Sequence, residues 1–596
     1  MQEHHLSVDF CVVGGGMAGT TAALAAARNG AKVALVQDRS VLGGNASSEI
    51  RMHVVGANTT HTGAREGGIV EEIRLDDSAR NPQRAYPLFD VLLYEKVKTE
   101  PNITLLLDTI CVGATTEEVD GKTVIRTVRA ERHLTEDAFT ISAKYFADCS
   151  GDGRLGLEAG ADYRHGREAK TDYDETLAQD VADNKTLGST ILFCARKHEQ
   201  PMPFVRPDWV RQLKKEDLYR RTVIEFCHGF WWAEWGGQLD TIKDNDDIRH
   251  ELYRITLGLW DYIKNSGDYP EADNWALDWV GALPGKRESR RFLGPHVLTQ
   301  QDLLEGRIFP DQVAYGGWPL DIHVPEGIDA VGEKPNIAPK LPHLYSIPLR
   351  SLYSRNIANL FFAGRNMSAT HVAFGSTRVM ATCSVMGQGI GTAAAYGAAF
   401  DDSSLLCDDL TQEPHIGLIQ RQLKRDDIFL IGHTNDDPDD KARTATVTAS
   451  SEVEGWQAAA ILDGTSRFLK PTWGSWSDDE GHGWHSAELP ASVELSFEQP
   501  VEVNEVHLVF DTGMQRFLTL TASDYYNNYM IRGPQPETVK SYRLLAGDQV
   551  IAEVDNNWQR KRVHKLEKPV SADKLKLEVT ATNGAEEARV FEIRVY

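Results

Sequence analysis

The sequence predicts an α/β nucleotide-binding unit, interrupted by a long insertion and followed by an all-β domain. Three observations predict it. A G-x-G-x-x-G turn follows a short apolar strand near the start of the chain. A second strand, turn and small-residue helix stands far downstream, in "NLFFAGRNMSATHVAFGSTRVMATCSVMGQGIGTAA". From about residue 442 the texture changes to short segments of alternating polarity.

At 596 residues the chain exceeds one ordinary domain, and a 41% hydrophobic content supplies several large cores. A net charge of −24 excludes the basic stripe of a nucleic-acid surface and disfavours anionic lipid. No apolar run approaches the roughly 20 residues that span a bilayer. "MQEHHLSVDF" lacks the charged and apolar parts of a signal peptide, so a cytoplasmic location is expected. None of the seven cysteines stands in C-x-x-C. The expectation is buried thiols in a reducing compartment, with no metal site.

"VDFCVVGGGMAGTTAALAAARNG" reads as strand, turn and helix. In a dinucleotide fold Gly14 permits the turn, Gly16 lets backbone approach a pyrophosphate, and Gly19 lets the helix pack on the sheet. The second strand, "AKVALV", ends at Gln37 and Asp38, one of which faces a ribose; alternation along the strand favours Gln37. Gly43 and Gly44 follow. In "SSEIRMH", Glu49, Arg51 and His53 stand two apart, so an extended segment projects all three from one face as a polar site. A salt-bridged surface strand is the alternative. "KYFADCSGDG" gives another strand and turn, with Ser150 and Gly151 at a strand's carboxyl end.

"VVGGGMAG", "RSVLGGNASSEIRM", "CSGDG", "PGKRESRRFLGPHVLT" and the downstream block together resemble the FAD-dependent oxidoreductases typified by the flavin domain of heterodisulfide reductase. The resemblance spans residues 1 to about 400. It implies a glutathione-reductase-type FAD domain in two parts, 1–161 and 350–400, around an inserted α+β substrate domain, 162–349. FAD rather than NAD is the implied cofactor. Carried over by motif, its contacts would be Gly14, Gly16, Met17, Ala18, Gly19, Gln37, Asp38, Gly43, Gly44, Asn45 and Arg51. Val112, Ser150, Gly151, Gly364, Arg365, Gly389 and Gly391 complete the set, the last two on a helix expected to begin near Gly387. The iron–sulfur cysteine clusters of heterodisulfide reductase are absent, so its chemistry is not carried over.

The insertion holds eight of the thirteen tryptophans. Aromatic faces beside acids suit a sugar ring. Trp231, Trp232, Glu234, Trp235, Trp318 and Asp321 are the pocket candidates, against the alternative that most are core. In "LPGKRESRRF", Arg287 or Arg290 clamps an anionic substrate or joins a structural ion-pair network. After a helical linker at 401–441, residues 442–596 resemble a discoidin-type, galactose-binding-like jelly roll, which serves sugar binding or packing.

The function expected is hydride transfer from a hydroxyl-bearing carbon to the flavin. His371 is the first candidate for the base that takes the hydroxyl proton and His53 the second; Arg378 contacts the flavin or an anionic intermediate. The expected partners are a small-molecule substrate, with carbohydrate as its candidate class, and a second copy of the chain. A flavoprotein that hands electrons to a protein, and a carbohydrate-binding scaffold that retains FAD, are the alternatives.

Overall fold

The computed structural model describes residues 1–59, 61–400, 405–467 and 481–596. The chain forms two compact units. The first comprises Met1–Gly56, Arg84–Ile419 and Leu520–Tyr529; the second comprises Ala57–Gln83, Gln420–Thr519 and Met530–Tyr596. The β-rich unit therefore begins before the expected boundary at 442 and takes in a segment from the front of the chain.

The first unit is built on five parallel strands: β1 (Phe10–Val13), β2 (Val33–Val36), β3 (Ile103–Leu106), β4 (Tyr145–Asp148) and β5 (Leu360–Phe362), in the order β5-β4-β1-β2-β3. Every residue of β1, β2, β4 and β5 is buried, which explains why these strands read as continuous apolar runs rather than alternating ones. Val13 pairs with Val36 on one side and Asp148 on the other, and Phe362 pairs with Asp148. The carboxyl ends of β1, β4 and β5 are thus level, and the strand order reverses at β1. Such a switch point opens a crevice for ligand.

Helices α1 (Met17–Arg28), α2 (Asn245–Asn265), α3 (His371–Thr377) and α4 (Met380–Ala398) complete the positioning frame. Small residues let α1 and α4 touch backbone to backbone. A methyl on Gly387 would fall 2.0 Å from the Ala18 carbonyl oxygen, and one on Gly391 2.2 Å from that of Ala22. Thr21 Oγ1 donates to the Ser384 carbonyl at 2.7 Å across the same contact. A separate sheet joins Ile110–Val119, Lys122–Arg132 and Asp137–Ser142 antiparallel, with Gln2–Ser7 parallel at its edge.

The insertion has its own core around α2, whose Ile248, Leu252, Ile255, Leu259 and Ile263 recur at helical spacing and are buried. Trp232 belongs to this core: it is 5% exposed and stacks on Phe230 at 4.9 Å. Its expected place in a substrate pocket is corrected accordingly; the half-buried Trp231 packs against the edge of the same core.

In the second unit, β6 (Ala491–Phe510), β7 (Val539–Ala546), β8 (Lys561–Thr582) and β9 (Arg589–Val595) pair antiparallel in the order β9-β6-β8-β7. Trp484, Val493, Leu495, Leu508, Leu577 and Ile593 form the core of this all-β unit. Helix Ile69–Arg80, with the residues before it, is sealed in by charge. Arg65 and Glu71, 0% and 1% exposed, pair at 2.5 Å. Arg65 also donates to the Thr512 and Gly513 carbonyls. The "LKPTWGSWS" part of the discoidin-like stretch lies outside the described residues. A helix at His415–Arg425 precedes the strands. No helix among the described residues is long and apolar enough to cross a membrane.

Candidate functional site

The switch point carries a cavity of about 580 Å³. Its floor is glycine. Gly14 has φ +104°, and a methyl there would meet the Cys149 carbonyl carbon at 2.4 Å, so the turn after β1 rests directly on the turn after β4. A methyl on Gly19 would fall 1.8 Å from the Gly14 oxygen, so α1 lies hard against that turn. Gly16 starts α1 with no side-chain cap, leaving the first amides of a twelve-residue helix for a ligand. Gly16 bridges Gly43.

The structure brings most of the expected cofactor residues to this one space. Gly14, Gly16, Met17 and Ala18 line it from the first turn, and Asp38, Gly43, Gly44 and Asn45 from beyond β2. Ser150 and Gly151 line it after β4, Gly364 and Arg365 after β5, and Arg378 after α3.

The other expectations are corrected. Gln37 reaches the lining, but its amide accepts from Gly15 N at 2.7 Å and donates to the Val41 carbonyl at 2.9 Å. Its hydrogen bonds hold the turn, which leaves Asp38 as the open carboxylate at the end of β2. Gly389 and Gly391 stand in mid-helix rather than at its start, packed on Val313 and Ala22 and away from the cavity. Val112 is absent from the lining, which its neighbours Ile110 and Cys111 supply. Glu49, Arg51 and His53 share no face. Arg51 has φ +63°, which breaks the extended chain. Glu49 pairs with Arg39, the Arg51 guanidinium lies 4.1 Å over Trp279, away from the cavity, and His53 faces Tyr526.

Sequence reasoning missed a charged rim. Lys286 and Arg290 line the cavity beside Arg365. Lys286 Nζ lies 2.7 Å from Asp152, Arg365 Nη2 lies 3.4 Å from it, and Ser289 donates to it at 2.9 Å. Burial pushes the Asp152 carboxyl up, yet Arg365 and Lys286 hold it below the usual carboxylate range. Arg365 Nη1 is buried without a hydrogen-bond partner. The signal lay in "PGKRESRRF", where Arg287 or Arg290 is expected at an anionic substrate or in an ion-pair network rather than at the rim of the cofactor cavity. Cys111, Cys149 and Cys383 also line the space. Burial pushes Cys111 and Cys383 up to about 12, so these remain thiols. Among the described residues no group of three His, Cys, Asp or Glu is arranged for a metal ion.

Two buried polar chains adjoin α3. In one, His371 Nδ1 lies 2.9 Å from Glu288, and Glu288 lies 3.1 Å from Arg291. His371 and Glu288 are 3% and 0% exposed, and His371 Nε2 has no partner. Burial pushes Glu288 up, but the facing His371 and Arg291 hold it ionised. In the other, Arg378 reaches Asp321 at 2.6 Å; His323 spans Asp321 at 3.1 Å and Glu234 at 2.5 Å; and Arg287 lies 3.5 Å from Glu234. Burial opposes charge on His323, yet its two carboxylates raise its pKa. Trp231 stands edge-on to His323 at 5.3 Å. Trp318 Nε1 is buried and unpartnered, whereas Trp235 Nε1 is spent on Asp329 at 2.7 Å. Arg287 is thus part of an ion-pair network.

The sequence profile described as FAD dependent oxidoreductase matches residues 9–411. The chain belongs to the FAD dependent oxidoreductase family. The cavity of this flavoenzyme fits that cofactor: a diphosphate needs free amides and cations, and the uncapped start of α1, the glycine cradle and the unpartnered Arg365 Nη1 provide them. Gly14, Gly16, Met17, Gly364 and Arg365 are the residues that would hold it.

No curated protein matches the chain. Among solved structures, the family 32 module from C. perfringens NanJ in complex with galactose is 15% identical, over 26% of this chain and 94% of that one, with a TM-score of 0.18. The family 32 carbohydrate-binding module of Streptococcus pneumoniae EndoD is 22% identical over 26% and 94%, with a TM-score of 0.19. L-proline dehydrogenase from P. horikoshii is 20% identical over 25% and 24%, with a TM-score of 0.16.

Proposed function

We propose that this flavoenzyme oxidises a hydroxyl-bearing carbon of a small neutral molecule, with carbohydrate as the substrate class. Bound FAD supplies a two-electron hydride acceptor. The observation that carries the reading is the His371–Glu288 pair at the start of α3, the helix that ends at the cavity-lining Arg378. A carboxylate at Nδ1 orients the imidazole, while Nε2 is left to take a hydroxyl proton. Glu288 keeps its charge because Arg291 backs it from the far side. Arg378, fixed by Asp321 and His323, holds positive charge at the cavity wall. Trp231 and Trp318 supply apolar faces near these groups, the combination that a sugar's C–H faces and hydroxyls require. The parallel sheet and its switch point support a glutathione-reductase-type reading of the flavin domain.

The test is anaerobic mixing of the holoenzyme with a panel of free sugars and glycosides. Bleaching of the flavin by one of them, with no other protein present, is the expected result. Bleaching only by a reduced protein partner supports electron transfer instead. Binding without bleaching supports a scaffold.

A further inference from the structure

Arg378 is the outer end of a chain of five ionisable side chains that runs from the cavity wall into the insertion. Its Nη2 donates to Asp321 Oδ2 at 2.6 Å. His323 Nε2 stands 3.1 Å from that same oxygen, and His323 Nδ1 stands 2.5 Å from Glu234 Oε2. Arg287 Nη1 lies 3.5 Å from Glu234. Of the five, Arg378 alone lines the cavity. His323, Glu234 and Arg287 are 4%, 2% and 7% exposed, so water does little to screen the chain. Its middle is held firmly. Asn336 Nδ2 donates to the other Asp321 oxygen at 2.5 Å, and Gly375 of α3 packs so closely on the Asp321 backbone that a methyl there would fall 3.0 Å from the Asp321 carbonyl oxygen.

These contacts fix the protonation of the ring. A carboxylate oxygen only accepts, and a neutral imidazole donates from one nitrogen. With a carboxylate at each nitrogen, His323 satisfies both only as the imidazolium. Burial opposes that charge and Arg287 opposes it too, but Glu234 and Asp321 raise the pKa above its usual value. Burial also pushes Asp321 and Glu234 up, yet His323 and Arg378 hold the first below the usual carboxylate range, and Arg287 and His323 the second. Arg221 also acts on Glu234, and is answered by Asp329 and Glu333. The chain thus alternates in sign, three cations against two anions, with one positive charge in surplus. When the ring loses its second proton the surplus disappears. Nε2 then turns from donor to acceptor, 3.1 Å from Arg378 Nη2, and competes with Asp321 for that N–H.

We propose that His323 is a positioning residue of the flavoenzyme, whose second proton decides whether the cavity wall at Arg378 is backed by one net positive charge or by none. No ligand has to reach the imidazole, since its effect passes through Asp321 and Arg378 to the cavity. A flavin gains negative charge on reduction, so a positive charge behind the wall favours the reduced form. His323 is charged below its pKa, and that bias is lost as the pH rises through a value above about 6.5. A unit charge acting over about 10 Å at an effective dielectric constant of about 20 shifts the reduction equilibrium about 10-fold. For a two-electron couple that is about 30 mV. The inference holds whatever the enzyme oxidises, so it stands apart from the choice of carbohydrate.

The test uses the FAD-loaded full chain without substrate. The flavin midpoint potential is titrated against redox dyes of known potential from about pH 5.5 to about pH 9.5, in the parent and in His323→Gln. Visible absorbance reads flavin content. Both proteins share the flavin's own pH dependence, so the difference between them is the signal. The variant's potential is expected to lie about 30 mV below the parent's in acid and to meet it in alkali, where the parent's imidazole is neutral as well. A difference that stays constant across the range gives His323 a structural role only and overturns the proposal, as does no difference at all. Glu234→Gln supplies an independent reading if His323→Gln does not fold. It removes one of the two carboxylates that hold the proton, so the break in the parent's profile is expected to move to lower pH. A break that stays in place, or a parent profile without one, overturns the proposal.

Discussion

Gly16 and Gly19 lie one helical turn apart, and alanine at each should fail in a different way. At Gly19 the new methyl would fall 1.8 Å from the Gly14 oxygen and 3.1 Å from Cys149 Cβ. Non-bonded carbon and oxygen need about 3 Å or more, so α1 must back away from the turn by about 1.2 Å (3.0 − 1.8), against a buried face. Overpacking of this kind costs about 1–3 kcal/mol, and it should lower the melting temperature of the apoprotein by a few degrees. At Gly16 the nearest atom is Gly44 Cα at 4.0 Å, and the backbone there (φ −65°, ψ −178°) is open to alanine. The fold is expected to tolerate that methyl. The cavity is not, because the methyl stands where the diphosphate approaches the uncapped amides. Loss of one charge-assisted contact, about 1.5–3 kcal/mol, predicts a 10- to 100-fold weaker FAD dissociation constant. The assay pairs a thermal melt of the apoprotein with flavin titration followed by fluorescence. If Gly16→Ala binds FAD as tightly as the parent, or melts lower than Gly19→Ala, the assignment of this turn to the cofactor is wrong.

Replacing His371 with Gln should slow anaerobic flavin reduction by about 100- to 10,000-fold at unchanged flavin content, measured by stopped flow; an unaltered rate removes it as the base. His228 is held neutral by burial, with its pKa lowered to about 3, so the unfolded chain binds its proton first as pH falls. Its stability contribution is therefore full above about pH 6.5 and declines below it, by about 2 kcal/mol between pH 6.5 and 5. Melting curves of His228→Gln should lose that part of the pH dependence. In the second unit, Glu71→Ala removes the carboxylate that neutralises the buried Arg65 guanidinium, at about 3–5 kcal/mol, which urea denaturation will read as a lower midpoint for that unit.

Much of the flavin unit was legible because its signals are local. The turn after β1 carries its glycines within six residues, and β1, β2 and β5 are apolar runs of strand length. The start of α4 was misjudged because sixteen of its residues are buried, all but Gln388 small or apolar, so nothing charged marks where the helix begins. Arg378, Asp321, His323 and Glu234 stand 144 positions apart at the extremes (378 − 234) and meet only through the packing of α3 on the insertion. His323 escaped notice altogether, since "LDIH" looks like any strand end. Gln37 was found by register and lines the cavity, but its hydrogen bonds to Gly15 and Val41 follow from the tightness of the turn and were not legible in the alternation.

Each unit borrows residues across the apparent boundary: Ala57–Gln83 belongs with the β-rich part, and Leu520–Tyr529 with the flavin part. During synthesis, the flavin unit cannot be finished until about residue 529 has emerged from the ribosome. The helical segment Ala57–Gln83 must wait through nearly the whole of translation for the strands it joins. Cutting the gene between the two textures visible in the sequence would therefore yield two fragments, each missing a part of itself.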